Sequence, residues 1–311
     1  MSAYHEGEIA LQQLTGARDA ARRLEAAISG TVPERVRKFV PTVETVATCI
    51  MSPDDRVWTS LWSGSAGFLG CSADGDTITI DRRVAHLPDE DPVMPFCQAG
   101  NRFGMLAIDF STRRRLRING DIVAVDQDGV MVQVRECFVN CPKFIQKRFA
   151  IRAGRSRPPS TATSGAVLDP ERIAIVERAD TAFIATTHPS RGLDVSHRGG
   201  EPGFIRAVDE HTLMFPDYRG NNMFTTLGNL AVSPRAGFAV IDFEAGRVLS
   251  MTGEARLVMA DGCTAGAAET GRLCLFSVQS LMEFPMHAAE TWSLPERSPF
   301  NPPVPTGTRD D

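Results

Sequence analysis

Apolar residues recur along this chain at two different spacings. Leu14, Ala17, Ala21, Leu24 and Ile28 fall three or four positions apart, which predicts an amphipathic helix near the N-terminus. Thr31-Val32-Pro33-Glu34 has the form of a capping box and predicts a second, short helix. Further on, the period shortens. Phe183–Thr187, Leu193–Arg198, Phe204–Val208 and Leu213–Phe215 are brief β-favouring runs parted by the turn residues HPSRG, GGEPG and DEH. Turns at that spacing predict an antiparallel barrel or sandwich. Gly237–Phe243 and Arg247–Leu257 flank Glu244-Ala245-Gly246, which predicts a hairpin, and Ser111–Arg113 predicts the same turn earlier in the chain.

The two hairpins belong to a repeat. GMLAIDFSTRRRLRING (104–120) and GFAVIDFEAGRVLSMTG (237–253) match at seven of 17 positions, among them Gly104/Gly237, Asp109/Asp242 and Gly120/Gly253. VWTSLWSGSAGFL (57–69) and LDVSHRGGEPGFI (193–205) agree at Ser60/Ser196, Gly64/Gly200, Gly67/Gly203 and Phe68/Phe204. Two matched blocks in one order, offset by 133 and 136 residues, predict duplicated domains rather than a solenoid. The expected organisation is N-terminal helices over 1–42, a first β domain over 43–152, a linker over 153–169, a second β domain over 170–290 and a Pro-rich tail over 291–311.

Composition narrows the function. The 311 residues are 42% hydrophobic and 23% charged, with a net charge of −5. That fits a folded chain and argues against disorder and against bulk positive charge for nucleic acid. No apolar run is long enough to span a bilayer, and no secretory signal is visible, so a cytoplasmic protein is expected. Seven cysteines, an odd number without CxxC, fit reduced thiols. The six histidines show no HxxxH or HxH spacing, so no metal site is expected.

Four segments carry candidate chemistry. In Asp217-Tyr218-Arg219-Gly220-Asn221-Asn222 a strand leads into a helix carrying Met223, Phe224, Leu227 and Leu230, with Asn221 or Asn222 as N-cap. Such a helix start offers free N–H groups to phosphate, with Arg219 and Thr225 beside it. An ordinary capped helix accounts for the same residues. GxGxxG and GxxxxGK[ST] are both missing. Along Leu193–Gly199, Asp194, Ser196 and Arg198 share one strand face, and His197 lies on the other with Leu193 and Val195. Among Arg113-Arg114-Arg115 and Arg117, the odd-numbered residues share a face opposite Arg114, either as a solvated surface or as an anion clamp. Asn140-Cys141-Pro142 predicts a helix start, with Pro142 in its first turn. No catalytic residue can be assigned.

Taken together, SHRGGEPGFI, FPDYRGNNMFTTLGNLAVSPRAG and VIDFEAGRVLSMTGEA in the second copy resemble the flavin-binding split-barrel proteins related to pyridoxamine 5′-phosphate oxidase. WTSLWSGSAGF, IDFSTRRRLRINGD and ECFVNCPKFIQKR extend the resemblance to the first copy, and HEGEIALQQ is similar to the start of a tandem-domain branch. The resemblance implies a mainly β fold of two tandem six-stranded antiparallel split barrels with flanking helices, forming a pseudo-dimer around FMN. It carries the phosphate role to Arg219, Asn221, Asn222 and Thr225. It places Ser196, His197, Arg198 and Gly199 along the ring, with Asp217 and Tyr218 beside the site, and lets Arg114 and Arg115 reach across from the first barrel. The first copy lacks the helix-entry segment, which implies one good flavin site. An Arg- and His-bearing C-terminal clamp is missing from Cys274–Asp311, so vitamin B6 synthesis is not expected. The expected function is an FMN-dependent oxidoreductase with a small-molecule substrate, taking electrons from NAD(P)H or a reductase and able to pair again as a homodimer of pseudo-dimers. A non-catalytic flavin carrier or sensor and a haem-binding split barrel are the alternatives.

Overall fold

A computed structural model describes residues 2–88, 90–152, 161–259, 270–286 and 290–304. The strands are β1 (Thr45–Met51), β2 (Val57–Gly64), β3 (Leu69–Cys71), β4 (Thr77–Asp81), β5 (Ala85–His86), β6 (Arg102–Asp109), β7 (Arg114–Val125), β8 (Gly129–Val139) and β9 (Ala150–Arg152) in the first part. The second part has β10 (Thr163–Gly165), β11 (Thr181–His188), β12 (Gly192–Gly199), β13 (Arg206–Ala207), β14 (Thr212–Pro216), β15 (Arg235–Asp242), β16 (Arg247–Met259), β17 (Arg272–Pro285) and β18 (Glu290–Trp292). The α-helices are α1 (Glu6–Leu14), α2 (Arg18–Leu24), α3 (Glu34–Arg37), α4 (Pro170–Arg178) and α5 (Thr225–Val232).

Two antiparallel split barrels result. Six long strands run in the order β4-β8-β7-β6-β1-β2 in the first and β14-β17-β16-β15-β11-β12 in the second, with short strands added at the margins. Their registers coincide: Cys49 opposes Gly104 and Thr59 in the first barrel, and Ala185 opposes Gly237 and Val195 in the second. Each barrel encloses its own apolar core, around Trp62, Phe68 and Phe103 in one and Phe215, Phe238 and Phe276 in the other. A third core lies between them, built from Ala47, Leu61, Leu106 and Ile108 against Phe183, Leu193, Val195 and Ile241. Burying such a surface is the main force that holds two barrels together.

The glycines at the matched positions explain the close joint. A Cβ on Gly104 would stand 3.2 Å from the Asp194 backbone nitrogen on β12, and one on Gly237 would stand 2.7 Å from the Val57 carbonyl on β2. Each barrel thus presents a bare backbone patch to the other's edge strand.

Local departures from the sequence reading have local causes. The N-terminal helix is broken: Gly16, at φ +67°, separates α1 from α2. Helix α3 is preceded by Pro33, with no side-chain cap, so Thr31 does not close a capping box. Part of the expected linker, Thr163–Gly165, is strand β10, paired with β17; residues 153–160 lie outside the described residues. Asn140-Cys141-Pro142 opens no helix; the chain makes a turn there, with Phe144 at φ +66°. Nor does a side chain cap α5. Its N-cap is Phe224 in the left-handed region, and the helix starts later than Asn221 or Asn222 would set it. The hairpins are as expected, with Arg113 (φ +55°) in the first where Gly246 (φ +64°) stands in the second.

Candidate functional site

A cavity of about 110 Å³ opens where the two barrels meet. The second barrel lines it with Ser196, His197, Arg198 and Gly199 from β12, the loop carrying Asp217, Tyr218, Asn221 and Asn222, and Thr225 at the start of α5. From the first barrel comes Arg115. Ten of the sequence-expected residues are therefore brought together. Arg219 is not on the wall, although Tyr218 and Gly220 are. Arg114 requires correction: it points the other way, exposed, with its guanidinium carbon 4.4 Å from the centre of the Phe39 ring. Strand alternation alone produces this, since Arg115 and Arg117 turn toward the second barrel.

The cavity is also lined by Arg117 from the arginine run, by Asn140 and Cys141 from the segment expected to open a helix, by Thr226 beside Thr225, and by Phe144 and Arg272, which the sequence did not single out. Arg117 shares the Arg115 face, as strand alternation requires. Thr226 follows Thr225 directly. Nothing local signals Arg272, which arrives on β17 and holds Asp217 at 2.8 Å.

The charges are unevenly matched. Arg117 is paired with Asp194 at 2.8 Å, both buried, and also donates to Ser196 and to the Val195 carbonyl on the open edge of β12. Arg272 is paired with Asp217. Arg115 donates to the Cys141 carbonyl at 2.9 Å, and Arg198 to the His197 carbonyl at 3.2 Å. Neither has a carboxylate within ion-pair distance among the described residues. Burial beside Arg117 and Arg198 lowers the Arg115 pKa to about 10, relieved in part by Cys141. His197 is pushed well below the usual imidazole value, by burial first and then by Arg115 and Arg198. It is therefore neutral, and both ring nitrogens are buried without a partner.

Backbone strain gathers here too. Five non-glycine residues among those described have a left-handed backbone, and three of them, Phe144, Asn222 and Phe224, line this cavity. Such conformations cost about 1–3 kcal/mol each and concentrate at functional sites. No side chain caps α5, whose first residues Thr225, Thr226 and Leu227 line the cavity. Thr226 donates to Ser196 at 2.9 Å, which ties that turn to β12.

The matched surface on the other side of the joint is filled. By register, Ser250 takes the place of Arg117, Leu61 that of His197 and Trp62 that of Arg198. Ser250 donates to the Thr59 carbonyl at 2.6 Å, as Arg117 does to Val195. Asp91, buried, takes hydrogen bonds from Ser60 and from the Trp62 indole. No guanidinium remains at these matched positions.

A second polar cluster joins α1 to α5. Ligand atoms of His5, Glu6 and His188 lie within 4.8 Å of one another. Each Nδ1 accepts backbone N–H, from Gly7 for His5 and from Ser190 and Arg191 for His188. The protons therefore sit on Nε2, directed at Asn229 and Glu6, and the rings act as hydrogen-bonding caps rather than as metal ligands. No helix among the described residues is long and apolar enough to cross a membrane.

No protein-family model and no curated protein matches the sequence. Among solved structures, HupZ of Group A Streptococcus is similar to 40% of this chain over 98% of its own length, at 13% identity and a TM-score of 0.28. The FAD-binding protein from Mycobacterium smegmatis matches 39% of this chain over 100% of its length, at 13% identity and a TM-score of 0.27. A candidate pyridoxamine 5′-phosphate oxidase from Lactobacillus delbrueckii matches 38% over 94% of its length, at 11% identity and a TM-score of 0.30. At these identities the likeness concerns the fold alone.

Proposed function

We propose that the cavity binds FMN and that the protein is a flavin-dependent oxidoreductase acting on a small molecule other than a vitamin B6 precursor. One observation carries this reading. Two guanidiniums, Arg115 and Arg198, converge on the uncapped start of α5 with no carboxylate to neutralise them. Two cations and a set of free N–H groups suit a phosphate monoester dianion. Neutral His197 adds no charge and can either donate or accept toward a bound ligand.

The cavity, about 110 Å³, is well below the roughly 300–1,000 Å³ of sites that engulf a drug-sized ligand. It fits the phosphate-bearing end of FMN, and the rest of the flavin would lie outside it or displace wall side chains. When bound, the flavin would supply hydride transfer. This chain's own part is to hold the phosphate through Arg115, Arg198 and Thr225 and to keep His197 neutral. NAD(P)H or a reductase would supply electrons.

Titration of the protein into FMN, read by flavin fluorescence, tests the binding. Saturable quenching by FMN, with much weaker quenching of riboflavin, is expected; no quenching of FMN at any ratio overturns the reading. Bleaching of the bound flavin by NAD(P)H separates an oxidoreductase from a carrier.

A further inference from the structure

Residues 222–224 alternate between two environments. Asn222 and Phe224, both left-handed, line the cavity. Met223 between them points the other way. Its side chain packs into a small core with Tyr4, Ala21 and Phe138, and its carbonyl accepts a 3.0 Å hydrogen bond from the Gln12 side chain. Gln12 is completely buried, and its oxygen accepts from Arg18 at 2.6 Å. The rest of α1 is fixed against α5: a Cβ on Gly7 would stand 2.2 Å from the Gly228 carbonyl, and His5 is bound to Asn229 at 3.0 Å.

We infer that Gln12 is a positioning residue for the cavity, holding Met223 so that its two strained neighbours keep the start of α5 open to an anion. Left-handed Asn222 and Phe224 carry a backbone cost; the Asn221 side chain accepts from the Met223 N–H within the loop, and the Gln12 contact adds a buried anchor from outside it. Gln12 sits on α1, more than two hundred residues away in sequence, and supplies a buried side-chain hydrogen bond to this loop from outside it. The N-terminal segment is on this account part of the binding site although it does not touch the ligand. The inference rests on the flavin reading for its choice of ligand, not for its geometry.

Two measurements on the full chain test it. Gln12→Leu keeps the bulk and removes the donor. It is expected to weaken FMN binding about tenfold, as loss of one buried hydrogen bond would, and to change riboflavin binding less than about twofold. Arg18→Met leaves the Gln12 donor in place but frees its other end, and is expected to show the same selectivity on a smaller scale in a chain that folds normally. Equal weakening of FMN and riboflavin overturns the inference, because a merely structural role would move both. Amide hydrogen exchange without ligand provides the second arm. Exchange over 222–227 is expected to accelerate in both variants while β7 and β12 stay protected; unchanged exchange in that loop overturns the inference. If the unaltered protein binds no FMN, the flavin reading fails, and the exchange result alone decides the role of Gln12.

Discussion

Arg117 on the first barrel and Asp194 on the second meet at 2.8 Å, and both side chains are buried in the joint. The pair crosses from one barrel to the other, and its Arg117 lines the cavity. Asp194→Ala leaves a buried cation and is expected to destabilise the fold by about 3–5 kcal/mol in urea denaturation. The same change frees Arg117 toward the cavity, so FMN is expected to bind several-fold more tightly. Opposite signs in the two measurements are the mark of a site whose charge balance is held by Asp194.

Arg115→Ala and Arg198→Ala each remove a cation without a carboxylate partner. Each is expected to cost about 1.5–3 kcal/mol of FMN binding, the range for a charge-assisted hydrogen bond, with riboflavin binding little changed. Arg114→Ala is the matched control. It lies on the far side of β7 against Phe39, so FMN affinity is expected to stay the same. Isothermal titration of the three variants checks the series.

One flavin per chain is expected at saturation, because Leu61, Trp62 and Ser250 occupy the positions that match His197, Arg198 and Arg117. Quantifying FMN released by denaturation against protein mass gives the ratio. A value near two means that the filled surface opens.

Stability should depend on pH through the α1 contact. His5 is lowered to about 4 by burial first, then by His188, so the unfolded chain takes up its proton first. The stability that His5 confers is complete above about pH 6.5 and is lost as pH falls toward 4. Glu8 acts in the opposite sense. Burial raises it to about 7, so its contribution is fullest below its unfolded value and is lost as pH rises through 7. In urea midpoints followed from about pH 4 to about pH 8, Glu8→Gln is expected to remove the decline on the alkaline side. His5→Asn, which keeps a capping side chain, is expected to flatten the acid limb.

Much of the architecture was legible because it rests on short-range rules. Period-two alternation put Leu193 and Val195 on the strand face opposite Asp194 and turned Arg115 away from Arg114; that this face packs in the joint, and that the matched glycines lie where the barrels touch, came only from the structure. What escaped was set by distant partners. A helix start was expected with Asn221 or Asn222 as N-cap, but Gln12 and Tyr4 hold Met223 from outside, and the helix begins after Phe224. The turn at Phe144 is similar: the Ser298 hydroxyl accepts from its backbone N–H, and Gln146 ties Asn301 to the same segment. Arg272 reached the site on a strand whose own sequence gives no hint of it.

A dimer of identical subunits must keep its two interfacial sites alike, since every substitution appears twice. Here the halves are separate stretches of one chain, and the joint has acquired a front and a back. Ligand, substrate and reductant would all have to approach from the side of Arg115 and Arg198. If one site fills per chain, as expected above, each chain should fill along a simple hyperbola. Any cooperativity in flavin uptake would then report contacts between chains, not within one.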